Sequence, residues 1–150
     1  SQEAEMTTSP IGSDTRRGIP DWLALFLGVL VGEFHRFFLS LLLAAMALIA
    51  FGARLEEQHG YAWFLSFDLI FQWVGLLIVF LVATTLSRSR NARFVHWLAA
   101  LSLVTDHAVR FATGQYASSD AWWYHLGVPL GVVFVWAVTL RLVARKYGAR

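Results

Sequence analysis

The residues best equipped for chemistry in this chain sit in its apolar stretches. Asp68, Gln72, Asp106, His107, Arg110 and His125 all fall inside runs long enough to be helical spans. An ionised side chain at the centre of a membrane helix costs about 2.5–3.5 kcal/mol or more, so such groups are normally paired or functional. Asp68 and Gln72 are four residues apart and share a helix face. Asp106 and Arg110 have the same spacing and can pair on their own helix. The pattern suits an ion-pair network that braces helices, the handling of a proton or ion, or the binding of a polar headgroup. As an ion-pair network, Asp68 and Asp106 are expected to pair with Arg110 and His107. Asp106-His107 does not read as a catalytic dyad, because adjacent helical residues point about 100° apart.

The elements that must position these groups follow from composition. The chain has 150 residues, 57% hydrophobic and only 15% charged. An ordinary soluble domain is about a quarter charged. At about 20 residues per span there is room for four membrane helices. The expected fold is therefore an all-α membrane protein: four transmembrane helices in an antiparallel bundle, preceded by a short interfacial or re-entrant apolar helix. Residues 1–21 read as a flexible polar tail, not as a processed signal. Residues 22–34 read as the interfacial or re-entrant helix, with Glu33, His35 and Arg36 at the headgroup boundary. The spans are 36–53, 61–86, 94–113 and 121–144, and 145–150 is a basic end. A single long, tilted helix from Trp22 to Gly52 is the alternative for the first two pieces. Short connections make consecutive helices antiparallel neighbours.

Charge sets orientation. Arg88, Arg90 and Arg93 fill one loop, and Arg16, Arg17, Arg36, Arg141, Arg145, Lys146 and Arg150 flank the two ends. By the positive-inside rule, both termini and this loop face the cytoplasm. A bacterial inner membrane is the expected location. A net charge of +2 points to no nucleic-acid partner.

Several finer features bear on function. Pro129 lacks a backbone donor and should kink the last span between Gly127 and Gly131. Gly28–Gly32 and Gly127–Gly131 place small residues on one face and permit close helix contact, within the chain or between copies. His96 and His107 are eleven residues apart, so they face one way about 16 Å apart. With His35 and His125 at matching depths, these are the residues a stacked pair of b-haems would use. The composition itself calls for no cofactor. The chain has no cysteine, so thiolate metal sites and disulfides are excluded. Walker, dinucleotide-binding, GxSxG and HExxH patterns are absent. Glu56-Glu57-Gln58-His59 reads as a solvated turn.

The run Trp122-Trp123-Tyr124-His125-Leu126-Gly127-Val128-Pro129-Leu130-Gly131 resembles the last span of the small four-helix membrane subunit of TRAP transporters. Chain size, four spans and an interfacial first helix agree with that family. Its acidic–basic motif at the start of the second span has no counterpart here. Nor does its longer amphipathic segment between the second and third spans. The resemblance transfers no functional residue.

The functional expectation is a small, non-catalytic accessory or anchor subunit of a larger transport or energy-transducing membrane complex. Its partners would be membrane lipid and other subunits, or copies of itself. One alternative is a homo-oligomeric channel or transporter using Asp68, Gln72 and His125. The other is an electron-transfer subunit that binds b-haem or quinone through His35, His96, His107 and His125.

Overall fold

The computed structural model describes residues 18–52, 58–114 and 122–148. The expectations for residues 1–17, for Glu56 and Glu57, and for the loop before Trp122 lie outside the described residues. The described chain is helical: α1 (Asp21–Phe51), α2 (Gln58–Leu86), α3 (Ala92–Ala112) and α4 (Trp122–Tyr147). Three helices, α1, α2 and α4, contain stretches long and apolar enough to cross a membrane. The third, α3, carries Arg93, His96, Asp106, His107 and Arg110 within 21 residues.

Helix boundaries follow local chemistry. Pro20 precedes α1, where its missing N–H costs nothing, and Asp21 places a negative charge in the first turn. Gly52 ends α1 at φ 55°, a left-handed conformation that glycine adopts without a Cβ penalty. Asn91 caps α3 by accepting from the Phe94 N–H at 3.0 Å. The expected division of residues 22–34 from 36–53 does not occur: α1 is continuous over 31 residues, roughly 46 Å. Nothing between Glu33 and Arg36 breaks a helix, and the charges there are satisfied by the protein. Residues 145–147 extend α4 instead of lying beyond it.

A short backbone strap fixes the start of α1. The Ile19 N–H donates to the Leu86 carbonyl at 2.9 Å, and the Arg88 N–H donates to the Ile19 carbonyl at 3.1 Å. Asp21 accepts from the Ser89 N–H at 3.1 Å. The last residues of the expected tail are thus tied to the α2–α3 connection.

Each helix turns one stripe inward. On α1 it runs through Ala24, Gly28, Gly32 and Arg36, and on α3 through Leu98, Ser102, Asp106 and Arg110. Near the 87–91 connection the stripes are apolar. Ala24, Leu76, Phe80, Ala83, Leu98, Val132 and Val135 meet there in the core. Toward the opposite end they turn polar.

The order around the core is α1, α2, α4, α3, with α2 and α3 making few direct contacts. This corrects the expectation that all consecutive helices are neighbours. Gly28 explains it: a Cβ at this position would approach both Leu98 of α3 at 2.9 Å and Ala83 of α2 at 3.1 Å, so α1 wedges between them. On the other side Gly127 packs against Leu69, and Gly131 receives the Trp73 ring. Both glycine pairs therefore serve packing within the chain. The Trp73 indole N–H donates to the Gly127 carbonyl at 3.1 Å, and α4 passes Pro129 without interruption.

Candidate functional site

The polar ends of the four stripes enclose a cleft of about 670 Å³. Its charged and polar lining comes from Glu33, Arg36 and Ser40 of α1, Asp68 and Gln72 of α2, Asp106 and Arg110 of α3, and Tyr124 and His125 of α4. Leu30, Phe34 and Phe37 also line it and are themselves largely exposed, so its mouth is apolar.

Two networks occupy the walls. In the first, Asp106 accepts from Arg36 Nη1 at 2.7 Å and from Arg110 Nε at 3.1 Å through each carboxylate oxygen. Arg36 also pairs with Glu33 at 3.2 Å. Arg110 Nη1 lies 3.4 Å from His125 Nδ1, and its guanidinium carbon is 5.6 Å from the Tyr124 ring centroid. Arg36, Asp106 and Arg110 are all buried. One carboxylate thus joins α1 to α3, and Arg110 carries the network on to α4.

The second network centres on Asp68, which is 1% exposed. Its Oδ1 accepts from Ser40 Oγ at 2.8 Å. Its Oδ2 accepts from Gln72 Nε2 at 2.6 Å and from the Tyr124 hydroxyl at 2.5 Å. Gln72 Nε2 also donates to Tyr124 Oη at 2.9 Å. These donors come from α1, α2 and α4, and all are neutral. Among the described residues, Asp68 forms no ion pair within 4.0 Å. Its expected pairing with Arg110 or His107 is therefore not what the structure contains. Arg110 is taken by Asp106, and His107 lies on the exposed side of α3.

Of the six residues singled out in the sequence, five line the cleft and His107 does not. The polar residues missed as members of the site are Glu33, Arg36, Ser40 and Tyr124. Arg36 was expected at a headgroup boundary; it is buried against Asp106 instead. A signal for it exists in the sequence. Arg36 continues the Ala24–Gly28–Gly32 stripe at four-residue spacing, so a continuous helix carries it inward with the small residues.

The histidines divide between locations. His35 sits in the α1–α2 seam against Gly75, a position that leaves no space for a Cβ. His96 is exposed and accepts from the Trp136 indole N–H at 2.9 Å. His107 shares the exposed side of α3, whereas His125 lies by Arg110 in the cleft. Among the described residues, no group of three or more His, Cys, Asp or Glu is arranged to hold a metal ion.

No family model matches the chain, and neither the curated proteins nor the solved structures compared with it provide a match.

Proposed function

We propose that the chain is a small, non-catalytic integral-membrane subunit, and that the cleft receives the polar end of a membrane-dissolved amphiphile. The observation that carries this reading is the cleft itself. Charged side chains from three helices and polar ones from the fourth surround one space, and exposed Leu30, Phe34 and Phe37 stand at its mouth. A polar interior behind an apolar entrance suits a molecule with a headgroup and a hydrocarbon tail.

In this proposal all four helices span the membrane, antiparallel in sequence order, with both termini on the cytoplasmic side of a bacterial inner membrane. α3 crosses with the other three despite its charges, because Asp106 and Arg110 are inside the fold. The contacts Gly28–Ala83 and Ser40–Asp68 support opposite directions for α1 and α2. His96–Trp136 and Arg110–His125 support the same for α3 and α4. The Arg-rich 87–93 loop supports the orientation.

Photo-crosslinking with an alkyl probe carrying a photoactivatable headgroup tests the cleft. Label is expected on peptides containing Phe34–Ser40 and Tyr124–His125. Label spread evenly over the outward residues Ile70, Ile78 and Leu142 ends the proposal.

A second reading concerns partners. In the 18-residue apolar window of α1 only 17% of residues are buried, against 33% for α2 and 39% for α4. An accessory subunit would use that face of α1 against another protein. Purification from native membranes with unlike partners in fixed ratio supports it. A homo-oligomer instead favours a channel or transporter built from copies of this chain.

A further inference from the structure

We infer that the cleft selects amphiphiles with a cationic, hydrogen-bond-donating head, an alkylammonium, and that Asp68 is the counter-ion. This rests on the proposed role of the cleft and specifies its ligand.

The first observation is an imbalance of charge. The cleft contains the carboxylates of Glu33, Asp68 and Asp106 and the guanidiniums of Arg36 and Arg110. Both arginines are committed to Asp106, and Arg36 is shared with Glu33. Asp68 is left with neutral donors only. A buried carboxylate without a cation is costly, and the interior compensates it poorly even with good hydrogen bonds. A cationic ligand head supplies the missing charge.

The second observation concerns hydrogen bonding and not charge. Gln72 is 4% exposed and lines the cleft beside Asp68, yet among the described residues its carbonyl Oε1 has no hydrogen-bond partner. An unsatisfied buried acceptor calls for a donor. A primary ammonium carries three N–H donors and one positive charge, as a lysine head does. It therefore answers both deficits, whereas a quaternary ammonium answers only the charge. A phosphate or sulfate head adds negative charge where carboxylates already outnumber guanidiniums, and only Arg36 Nε, also without a partner among the described residues, would offer it a donor. The phenyl rings of Phe34 and Phe37 at the mouth suit the tail, and an aromatic face also tolerates a passing cation.

The test uses the full chain in phosphatidylcholine nanodiscs at neutral pH. Equilibrium binding of radiolabelled dodecylammonium, dodecanol and dodecyl phosphate is measured, with empty nanodiscs subtracted. Dodecylammonium is expected to bind saturably and at least tenfold more tightly than dodecanol, with dodecyl phosphate weakest. Asp68→Asn is expected to abolish the preference, so that dodecylammonium binds no more tightly than dodecanol. Equal saturable binding of ammonium and alcohol overturns the charge selection but leaves the cleft as an amphiphile site. Tightest binding of the phosphate overturns it too. No saturable binding of any probe removes both this inference and the reading beneath it. A preference that survives Asp68→Asn overturns the assignment to Asp68. If the variant does not fold, the ranking on the unmodified chain decides.

Discussion

Arg36 and Asp106 are seventy residues apart in the chain and 2.7 Å apart in the fold. Their ion pair ties the middle of α1 to the distal half of α3, inside the protein. Arg110 completes the arrangement from one turn further along α3, meeting both oxygens of the same carboxylate. Asp106 therefore holds two buried cations, and its removal strands both.

Asp106→Leu is expected to destabilise the protein by about 3–5 kcal/mol, the usual cost of leaving a buried charge unpaired. Arg36→Met in the same background should recover part of that loss, because it removes one of the stranded cations. Thermal unfolding in detergent, read by helical circular dichroism for both singles and the double, checks this. Strict additivity would show that the pair does not couple α1 to α3.

Tyr124→Phe removes a hydroxyl that donates to Asp68 and accepts from Gln72. The expected loss is about 1–3 kcal/mol, since a buried carboxylate loses one of its three neutral donors. Ser40→Ala removes another of those donors and should act in the same direction. Combined, the two should cost more than their sum, because Asp68 would retain Gln72 alone. Unfolding midpoints for the two singles and the double provide the comparison.

Gly131→Ala and Gly28→Ala test close packing with opposite emphasis. At Gly131 the new methyl meets the Trp73 indole, which is held by its hydrogen bond to the Gly127 carbonyl. At Gly28 it approaches Leu98 Cδ1 at 2.9 Å and Ala83 Cβ at 3.1 Å, and the leucine methyl can rotate aside. Gly131→Ala should therefore cost about 1–3 kcal/mol, the range for overpacking, and Gly28→Ala less. A reversed order in the melting temperatures would contradict the α2–α4 packing described.

Topology is accessible because the chain contains no cysteine. Single cysteines at the exposed Ala92 and Thr113 should react with a membrane-impermeant maleimide from opposite sides, Ala92 from the cytoplasmic side. Labelling of both from the same side would show that α3 does not cross.

The sequence by itself determines that the chain is helical, with helices long and apolar enough to cross a membrane. Long apolar runs with little charge permit helices whose backbone bonds are satisfied internally, and the boundaries at Pro20, Gly52 and Asn91 are local events. The residues Asp68, Gln72, Asp106, Arg110 and His125 are visible as site candidates because polar groups stand out in apolar surroundings. Their partners are not visible in the same way. Whether Asp68 meets Arg110, His107 or Ser40 depends on helix order and rotation, which small residues such as Gly28 and Gly131 set through contacts distant in sequence. Arg36 shows the limit most clearly. Read locally, Glu33-Phe34-His35-Arg36 looks like a boundary between two segments. Only the tertiary structure brings Asp106 across to meet Arg36, and that ion pair makes an arginine inside α1 affordable. The tertiary structure likewise decided that Asp106 takes both arginines and Asp68 takes none, because the positions of α1 and α3 around the core fix which carboxylate the guanidinium groups can reach.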